Sequence, residues 1–597
     1  MGKRIPRNIM RKLKRILTLT LAMITIATTG LIGITASAAS TDYATKYVID
    51  PLRTVDVVVH KYLMDDHIQS MKENNAGENL IDNNKQVSTS TTAKPLAGIK
   101  FKAYPLDESG NKIKHSDAII QKYRTDYASR SSAATGEKLT SALVNTIMSR
   151  FKKDGAGYIY YDMGVATDTT GTLNINSLFQ GKWSIEEVAD TTKVASTALP
   201  TVIELPITNV SNQSEWLYRA HIYPKNEDIH IVKDIQHLGN NHHTADIYEP
   251  FSWIVTTDVP DDIYKCSKTL HDSDNTKISW AGYSRFNIID DLDMNIKYKG
   301  TTKVCVVTGS TSDTTVGTEK NLTYGTDYTV TATDGKGTQN SKITWSITES
   351  GRQKLSPVLL KQKGVKLRIY FESVIRNTIG ESVLGKPLKN KAKLEFTNSS
   401  GVKGTRESDI PEVHTTGIKI YKLDEKTQKP IAGTVFKIAS SEENARNGVF
   451  LKQWILNASD NSYVRGENDI VVTTDENGCA LFKGLYYGTK ATKYNNAATK
   501  GTGHDSGETT YWVVEVKSSK DSNGFTYQLQ PEPIKVTANS TSHLQANAVK
   551  VYDGIRTVLT GGNGALLFGL VGVTAVGIGV LTIAFVATKK KKSTKHN

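Results

Sequence analysis

The chain reads as an all-β protein in which tandem β-sandwich domains stack into an elongated rod between two targeting segments. Three observations predict this. Short runs of β-branched and aromatic residues, alternating with polar ones and punctuated by Gly, Pro, Asn and Asp, recur along the whole body. One such arrangement occurs twice at widely separated places, the mark of a duplicated module. Helical heptads and low-complexity linkers are missing between the runs, so the domains abut.

The ends come first. Lys3, Arg4, Arg7, Arg11, Lys12, Lys14 and Arg15 precede an apolar stretch over 16–35 and the small residues Ala36-Ser37-Ala38-Ala39. Basic region, apolar core and small-residue site together read as a secretory signal over 1–39, to be set aside from fold reasoning. At the other end Thr557-Val558-Leu559-Thr560-Gly561-Gly562 leads into an apolar run over 565–587 and then Lys589 to Lys592. A spanning helix needs about 20 apolar residues, and the lysines hold its end in the cytoplasm. These two ends contribute twelve basic residues and no acid. Nearly all of the formal +14 therefore belongs to targeting, and nothing in the body calls for a nucleic-acid partner.

The body of roughly 520 residues exceeds one cooperative core and divides into several domains. Its three cysteines, Cys266, Cys305 and Cys479, cannot serve as a repeated staple, although Cys266 and Cys305 could pair within one domain. The boundaries fall at 40–229, 230–412 and 413–553, with the tail over 554–597.

In the first domain a β-rich stretch over 55–62 contains Val57-Val58-Val59-His60-Lys61-Tyr62, followed by a polar surface loop over 64–94. Pro95-Leu96-Ala97-Gly98 turns into a strand over 99–104. Leu139, Leu143, Val144, Ile147, Met148 and Phe151 recur at helical spacing, which predicts one helix inserted against a sheet. Strands after Gly171 and Gly181 complete the domain. Near the C-terminus the same order returns: Ile418 to Asp424 with Lys422, the turn Pro430-Ile431-Ala432-Gly433, the hairpin Asp475-Glu476-Asn477-Gly478, and Tyr511-Trp512-Val513-Val514-Glu515. Between the copies, 230–412 lacks the Pro-x-Ala-Gly turn but keeps short strands and polar turns, predicting a sandwich of another subtype.

Alternation can turn Lys61 into the core, where desolvation lowers a lysine pKa. The neutral amine is a nucleophile, and a neighbouring carboxylic acid could shuttle protons during its attack on an Asn amide, expelling ammonia and leaving a crosslink. On pattern alone, a solvated lysine among ordinary surface acids is the competing reading.

The segment 418–552 resembles the CnaB-type domains of Gram-positive pilins and surface adhesins, which are immunoglobulin-like sandwiches closed by such Lys–Asn isopeptide bonds. The resemblance implies Lys422 as nucleophile, Glu515 as acid and Asn547 as acceptor. In the first domain it implies Lys61, Glu187 and Asn226, with Trp183 in the aromatic position. In the middle domain it implies Lys233, Asp290 and Asn390.

Two further stretches extend the likeness. The tail resembles the cell-wall sorting signal of Gram-positive surface proteins, with Thr557 where Leu is usual and Val558 where Pro is usual. A sortase would cut after Thr560 and before Gly561. Trp216-Leu217-Tyr218-Arg219-Ala220-His221-Ile222-Tyr223-Pro224-Lys225 resembles the pilin motif of backbone pilins, with Ala220 in place of Val. That implies Lys225 as the amine that accepts Thr560 of the neighbouring subunit. Pro224 interrupts a regular ladder and predicts an accessible Lys225 side chain, with Asn226 facing inward because strand side chains alternate.

Other constellations are weak. His242-His243 in their polar stretch read as a solvated loop, and Gly501-Thr502-Gly503 misses the dinucleotide pattern. Cys479 has no paired His, and reads as a small side chain in a strand. Neither a cofactor nor a metal is predicted. The sequence thus predicts a non-enzymatic, extracellular, wall-anchored shaft subunit. Its partners would be copies of itself, a sortase, minor or tip pilins, peptidoglycan at the base and a host-surface ligand. A wall-anchored adhesin or minor pilin is the alternative.

Overall fold

A computed structural model describes residues 44–64, 93–490 and 507–553, apart from scattered positions within them such as 210–214, 272–275 and 336–338. The signal segment, the 64–94 loop beyond Met64 up to residue 92, and the whole sorting tail with Thr557 to Gly561 lie outside the described residues. Among the described residues no helix is long and apolar enough to cross a membrane.

The described chain is predominantly β-strand, arranged around three hydrophobic cores that follow one another in sequence. In the first, a five-stranded sheet runs in the order Thr201–Leu205, Gly181–Glu187, Phe101–Pro105, Ile159–Asp162, Phe151–Lys153. It faces a three-stranded sheet of Arg219–Ile222, Val55–His60 and Thr172–Leu178. Period-2 alternation sends Val55, Val57 and Val59 into the core between them. The middle core lies between two five-stranded sheets, with Trp253 from one and Trp345 from the other fully buried. The last core lies between a three-stranded sheet of Cys479–Leu485, Thr416–Asp424 and Val549–Asp553 and a four-stranded sheet that contains Thr509–Lys517.

The predicted helix is present as Ser141–Ser149, capped by the Thr140 hydroxyl. A second helix, Asp117–Ala128, packs beside it and was not foreseen. Ile119, Tyr123 and Tyr127 mark its inner face at four-residue spacing. Cys305 is buried as a free thiol whose pKa burial pushes up to about 12, while the side chain of Cys266, its suggested disulfide partner, lies outside the described residues. The pair of histidines read as a solvated loop instead forms the strand His242–Thr244, fully buried, because it pairs in parallel with Glu412–His414 at the far end of the middle unit.

First and last strands lie side by side and parallel in both outer cores. Arg219–Ile222 pairs with Val55–His60, and Lys225–Glu227 with Tyr62–Met64. Val549–Asp553 pairs with Thr416–Asp424 in the same sense. The duplicated sequence pattern holds one backbone device at the buried lysine. The Lys61 amide donates to the Gly171 carbonyl at 2.7 Å, and the Lys61 carbonyl accepts from the Leu96 amide at 2.9 Å. In the C-terminal copy Lys422 donates to Gly478 at 2.8 Å and accepts from Ile431 at 3.0 Å. The Thr167 hydroxyl ties the Pro-x-Ala-Gly turn by donating to the Leu96 carbonyl, as Thr474 does to Ile431.

Gly171 and Gly478 are required by this device. Both have positive φ, +75° and +70°, and a Cβ would stand 2.4 Å from the Lys61 carbonyl oxygen or 2.5 Å from that of Lys422. Gly110 has a similar φ of +82° but open space around it. Gly171→Ala should therefore lower the thermal unfolding midpoint well beyond Gly110→Ala, which carries only the left-handed backbone penalty of about 1 kcal/mol. Equal shifts for the two variants would show that the close approach to Lys61 is unimportant.

Candidate functional site: three buried lysine clusters

Each core encloses one lysine with no exposure to solvent: Lys61, Lys233 and Lys422. A buried ammonium is tolerated only with an acid and hydrogen-bond partners, and each has an acid beside it.

In the first core Lys61 sits at the break between the strands Val55–His60 and Tyr62–Met64. Its Nζ donates to Asn226 Oδ1 and lies 3.2 Å from Glu187 Oε2. Asn226 Nδ2 in turn donates to Glu187 Oε1 at 2.5 Å. The three predicted residues thus form one closed triangle. Glu187 reaches it from the end of Gly181–Glu187, where it pairs with Phe101. Burial lowers the Lys61 pKa to about 8, with the Glu187 charge opposing the shift. The cluster therefore holds an amine that is easily neutralised, a carboxyl on both partners, and a carboxamide whose oxygen already faces the amine.

In the middle core Lys233 Nζ donates to Asp290 Oδ2, both groups fully buried. The ammonium also lies over the rings of Trp253, at 4.7 Å, and Phe371, at 5.2 Å. Burial lowers the Lys233 pKa to about 8 and raises that of Asp290. Asn390 lies just before the strand Ala392–Thr397, whose Ala392 is the ladder partner of Asp290. Its carboxamide acts on Asp290, yet neither its nitrogen nor its oxygen makes a hydrogen bond of regular geometry. A buried carboxamide in that state is costly unless it reacts or relaxes.

In the C-terminal core Lys422 Nζ donates to Glu515 Oε2 at 2.7 Å. The predicted acceptor Asn547 is not there. It sits in a short 3-10 turn, Gln545–Asn547, exposed, with Nδ2 donating to the Thr541 carbonyl. Asp553 takes the place instead, its Oδ1 2.5 Å from Lys422 Nζ. Strand register explains the substitution. Lys422 lies opposite Val551, so Asp553 is two residues past the lysine's partner. Lys61 precedes Tyr62, whose amide donates to the Pro224 carbonyl, so Asn226 stands at the same offset. Asn547 lies four residues before Val551, outside the strand. Burial raises the Asp553 pKa to about 6, the Lys422 bond opposes the shift, and the Glu515 charge adds to it. The alternating run Val549-Lys550-Val551-Tyr552-Asp553 carries the signal, because period two buries Asp553 on the same face as Val551.

Lys225 departs from expectation. It was predicted to be accessible and is 4% exposed. Pro224 does not end the ladder, because its carbonyl still accepts from Tyr62 and Lys225 resumes pairing beside that residue. Lys225 Nζ donates to the Tyr223 carbonyl at 3.0 Å, and burial lowers its pKa to about 8, with the Lys61 charge adding to the shift. Tyr223 stacks on His60 with ring centroids 4.7 Å apart. Trp216, half-buried, packs against the first core from the strand Glu215–Leu217. The expectation for Asn226 holds: it faces Lys61, opposite in the alternation to Lys225.

A pH dependence follows for a first-core variant whose Lys61 stays a free amine. In Asn226→Ala the depressed lysine pKa means that the unfolded chain binds more protons than the folded one between about pH 8 and 10.5. Its stability should rise with pH across that window and be level below it, relative to the double variant Lys61→Met/Asn226→Ala, which lacks the amine. Thermal midpoints at pH 7, 8 and 9.5 check this, and a flat difference would contradict the burial assigned to Lys61.

Comparison with known proteins agrees with this architecture. Residues 53–227 match the model of the N-terminal D1 domain of Gram-positive pilin subunits, and 416–495 match a prealbumin-like fold domain. The type 1 fimbrial subunit of Actinomyces viscosus is 26% identical over 423 residues, covering 66% of this chain and 70% of that one. The type 2 fimbrial subunit of Actinomyces naeslundii is 29% identical over 211 residues, covering 35% and 32%. The full-length major pilin SpaD of Corynebacterium diphtheriae shares the fold, with a TM-score of 0.50, 16% identity and coverage of 85% of this chain and 99% of that one. A D1 domain that ends on the Lys225-Asn226 strand and fimbrial relatives along most of its length support a Gram-positive pilin.

Proposed function

We propose that this pilin is the shaft-forming subunit of a surface pilus, joined head to tail when a sortase transfers the Thr560 carbonyl of one subunit to the Lys225 amine of the next. The observation that carries the reading is the dipeptide Lys225-Asn226. One residue closes the buried triangle with Lys61 and Glu187, while its neighbour on the opposite side of the strand is the motif lysine. The strand that would receive the load from the neighbouring subunit is thus the strand tied to the start of its own domain. The sortase is the enzyme, and this chain its substrate; peptidoglycan at the base and minor pilins are the remaining partners.

Within each subunit the lysine clusters form isopeptide bonds. Neutral Lys61 attacks Asn226 Cγ, the Glu187 carboxyl relays the amine proton to the departing nitrogen, and ammonia leaves. Lys233, Asp290 and Asn390 follow the same course. In the C-terminal core Lys422 attacks the protonated Asp553 carboxyl with Glu515 as proton carrier, and water leaves. Because each outer bond joins adjacent parallel strands, tension along the chain loads the covalent link before the ladder can unzip. The bond also constrains the unfolded chain as a disulfide does, without being open to reduction.

The intact mass of the mature chain should fall short of its sequence value by two ammonia and one water, roughly 17 Da each for the first two and about 18 Da for the third. Peptide mapping should find Lys422 on Asp553, and Asn547 unmodified. A full sequence mass would remove the internal chemistry. Lys225→Ala should abolish the high-mass polymer ladder in cell-wall extracts while monomer export persists. Burial of Lys225 in the subunit is the one observation that favours a wall-anchored adhesin, which needs no acceptor, and an unchanged ladder would decide for it.

A further inference from the structure

We propose that His242, Glu412 and His414 form a binding site for one divalent first-row transition ion, zinc being the probe, at the junction of the middle and C-terminal units. The three side chains are 0%, 2% and 1% exposed. They come from the parallel pair His242–Thr244 and Glu412–His414, in which His242 lies opposite Glu412 and Thr244 opposite His414. Period-2 alternation puts all three on one face of that ladder, while Val413 points the other way into the middle core.

The donor atoms converge. Glu412 Oε1 lies 3.0 Å from His414 Nε2 and 3.5 Å from His242 Nδ1, and one ligand atom from each residue falls within 4.8 Å of the others. Ligands about 2.0–2.1 Å from a tetrahedral ion are roughly 3.3 Å apart, and the two observed spacings bracket that value. Two imidazoles with one carboxylate is a donor set that suits zinc and leaves a fourth position for solvent or a further ligand. The outer shell is built as well. The Tyr487 hydroxyl donates to the Gly385 carbonyl at 3.3 Å and lies 3.2 Å from His414 Nδ1. With an ion bound, His414 would ligate through Nε2 and donate from Nδ1–H to the Tyr487 oxygen, whose own proton goes to Gly385.

The position gives the site a role. It ties a strand near the start of the middle unit to one 170 positions later, directly before the first strand of the C-terminal unit, Thr416–Asp424. Tyr487 reaches the site from the C-terminal core. At the same junction the Ile247 amide donates to the Gly484 carbonyl, Asp246 accepts from the Tyr486 amide, and Lys490 pairs with Glu249. A bound ion would therefore stiffen the joint between two load-bearing units without depending on the isopeptide chemistry.

The test is zinc stoichiometry by elemental analysis of the purified full chain after loading and exhaustive dialysis, with cobalt absorption as a second readout. One ion per chain is expected, with a tetrahedral cobalt band, and a thermal midpoint raised by zinc. Glu412→Gln and His414→Gln should each lose the ion. Tyr487→Phe, which keeps all three ligands, should bind about 10- to 100-fold more weakly. No retained zinc in the unsubstituted chain, or retention equal to it in Glu412→Gln and His414→Gln, would overturn the site. The mass and ladder measurements are independent of this result.

Discussion

A lysine placed without solvent between the first and last strands of a sandwich is the constraint on which this structure rests. In the outer two cores such an amine demands an acid from the opposing sheet and an acceptor on the neighbouring parallel strand, which together fix three strands relative to one another. The surrounding backbone is shaped to the same end. The glycine hairpin and the Pro-x-Ala-Gly turn hydrogen-bond to the lysine's own amide and carbonyl in both copies, so the repeat in the sequence is a repeat of the device that holds the buried lysine. A buried ion pair is weak evidence for stability in its own right. Its presence at three sites in one chain is what the proposed crosslinking chemistry would account for.

The three clusters solve the electrostatic problem differently. The first distributes polar contacts around a closed triangle, with the amine pKa held near 8. The middle one sets the ammonium over two aromatic rings and against an acid whose pKa burial raises. The third brings two carboxyl groups to one lysine, where burial first and the Glu515 charge second raise the Asp553 pKa to about 6. Like charges sharing a buried site favour a proton on one of them, and a protonated carboxyl is the form an amine can attack with loss of water. One architecture thus sets an amide or an acid beside the lysine, in each case two residues beyond the lysine's strand partner.

In a fibre assembled head to tail as proposed, load would pass through every domain joint as well as every domain. The joint between the middle and C-terminal units is crowded with polar contacts: Asp246, Glu249 and Gly385 on one side meet Arg465, Tyr486, Tyr487 and Lys490 on the other. The His242, Glu412 and His414 cluster sits beneath them. On the opposite side of the middle unit, Ala195 from the first unit is packed into the middle core, and Asp228 pairs with Arg406. The units are therefore joined by buried contacts at both ends of the middle unit.

Local pattern alone determined that this chain is all-β and duplicated, because alternation and turn chemistry are set by residues within a few positions of one another. Pattern showed only that Lys61 could turn inward; the lysines and the acids Glu187 and Glu515 were singled out by the resemblance to the CnaB-type domains, carried onto the matching positions. What tertiary structure decided was every feature that depends on which strand lies beside which. Asp553 rather than Asn547 faces Lys422 because a parallel register joins residues more than a hundred positions apart. Lys225 is covered because its strand resumes pairing beyond Pro224. His242 leaves its polar neighbourhood for the interior because its partner strand comes from the far end of the same unit. Register between distant strands is fixed by the packing of whole sheets, and no local stretch of sequence contains it.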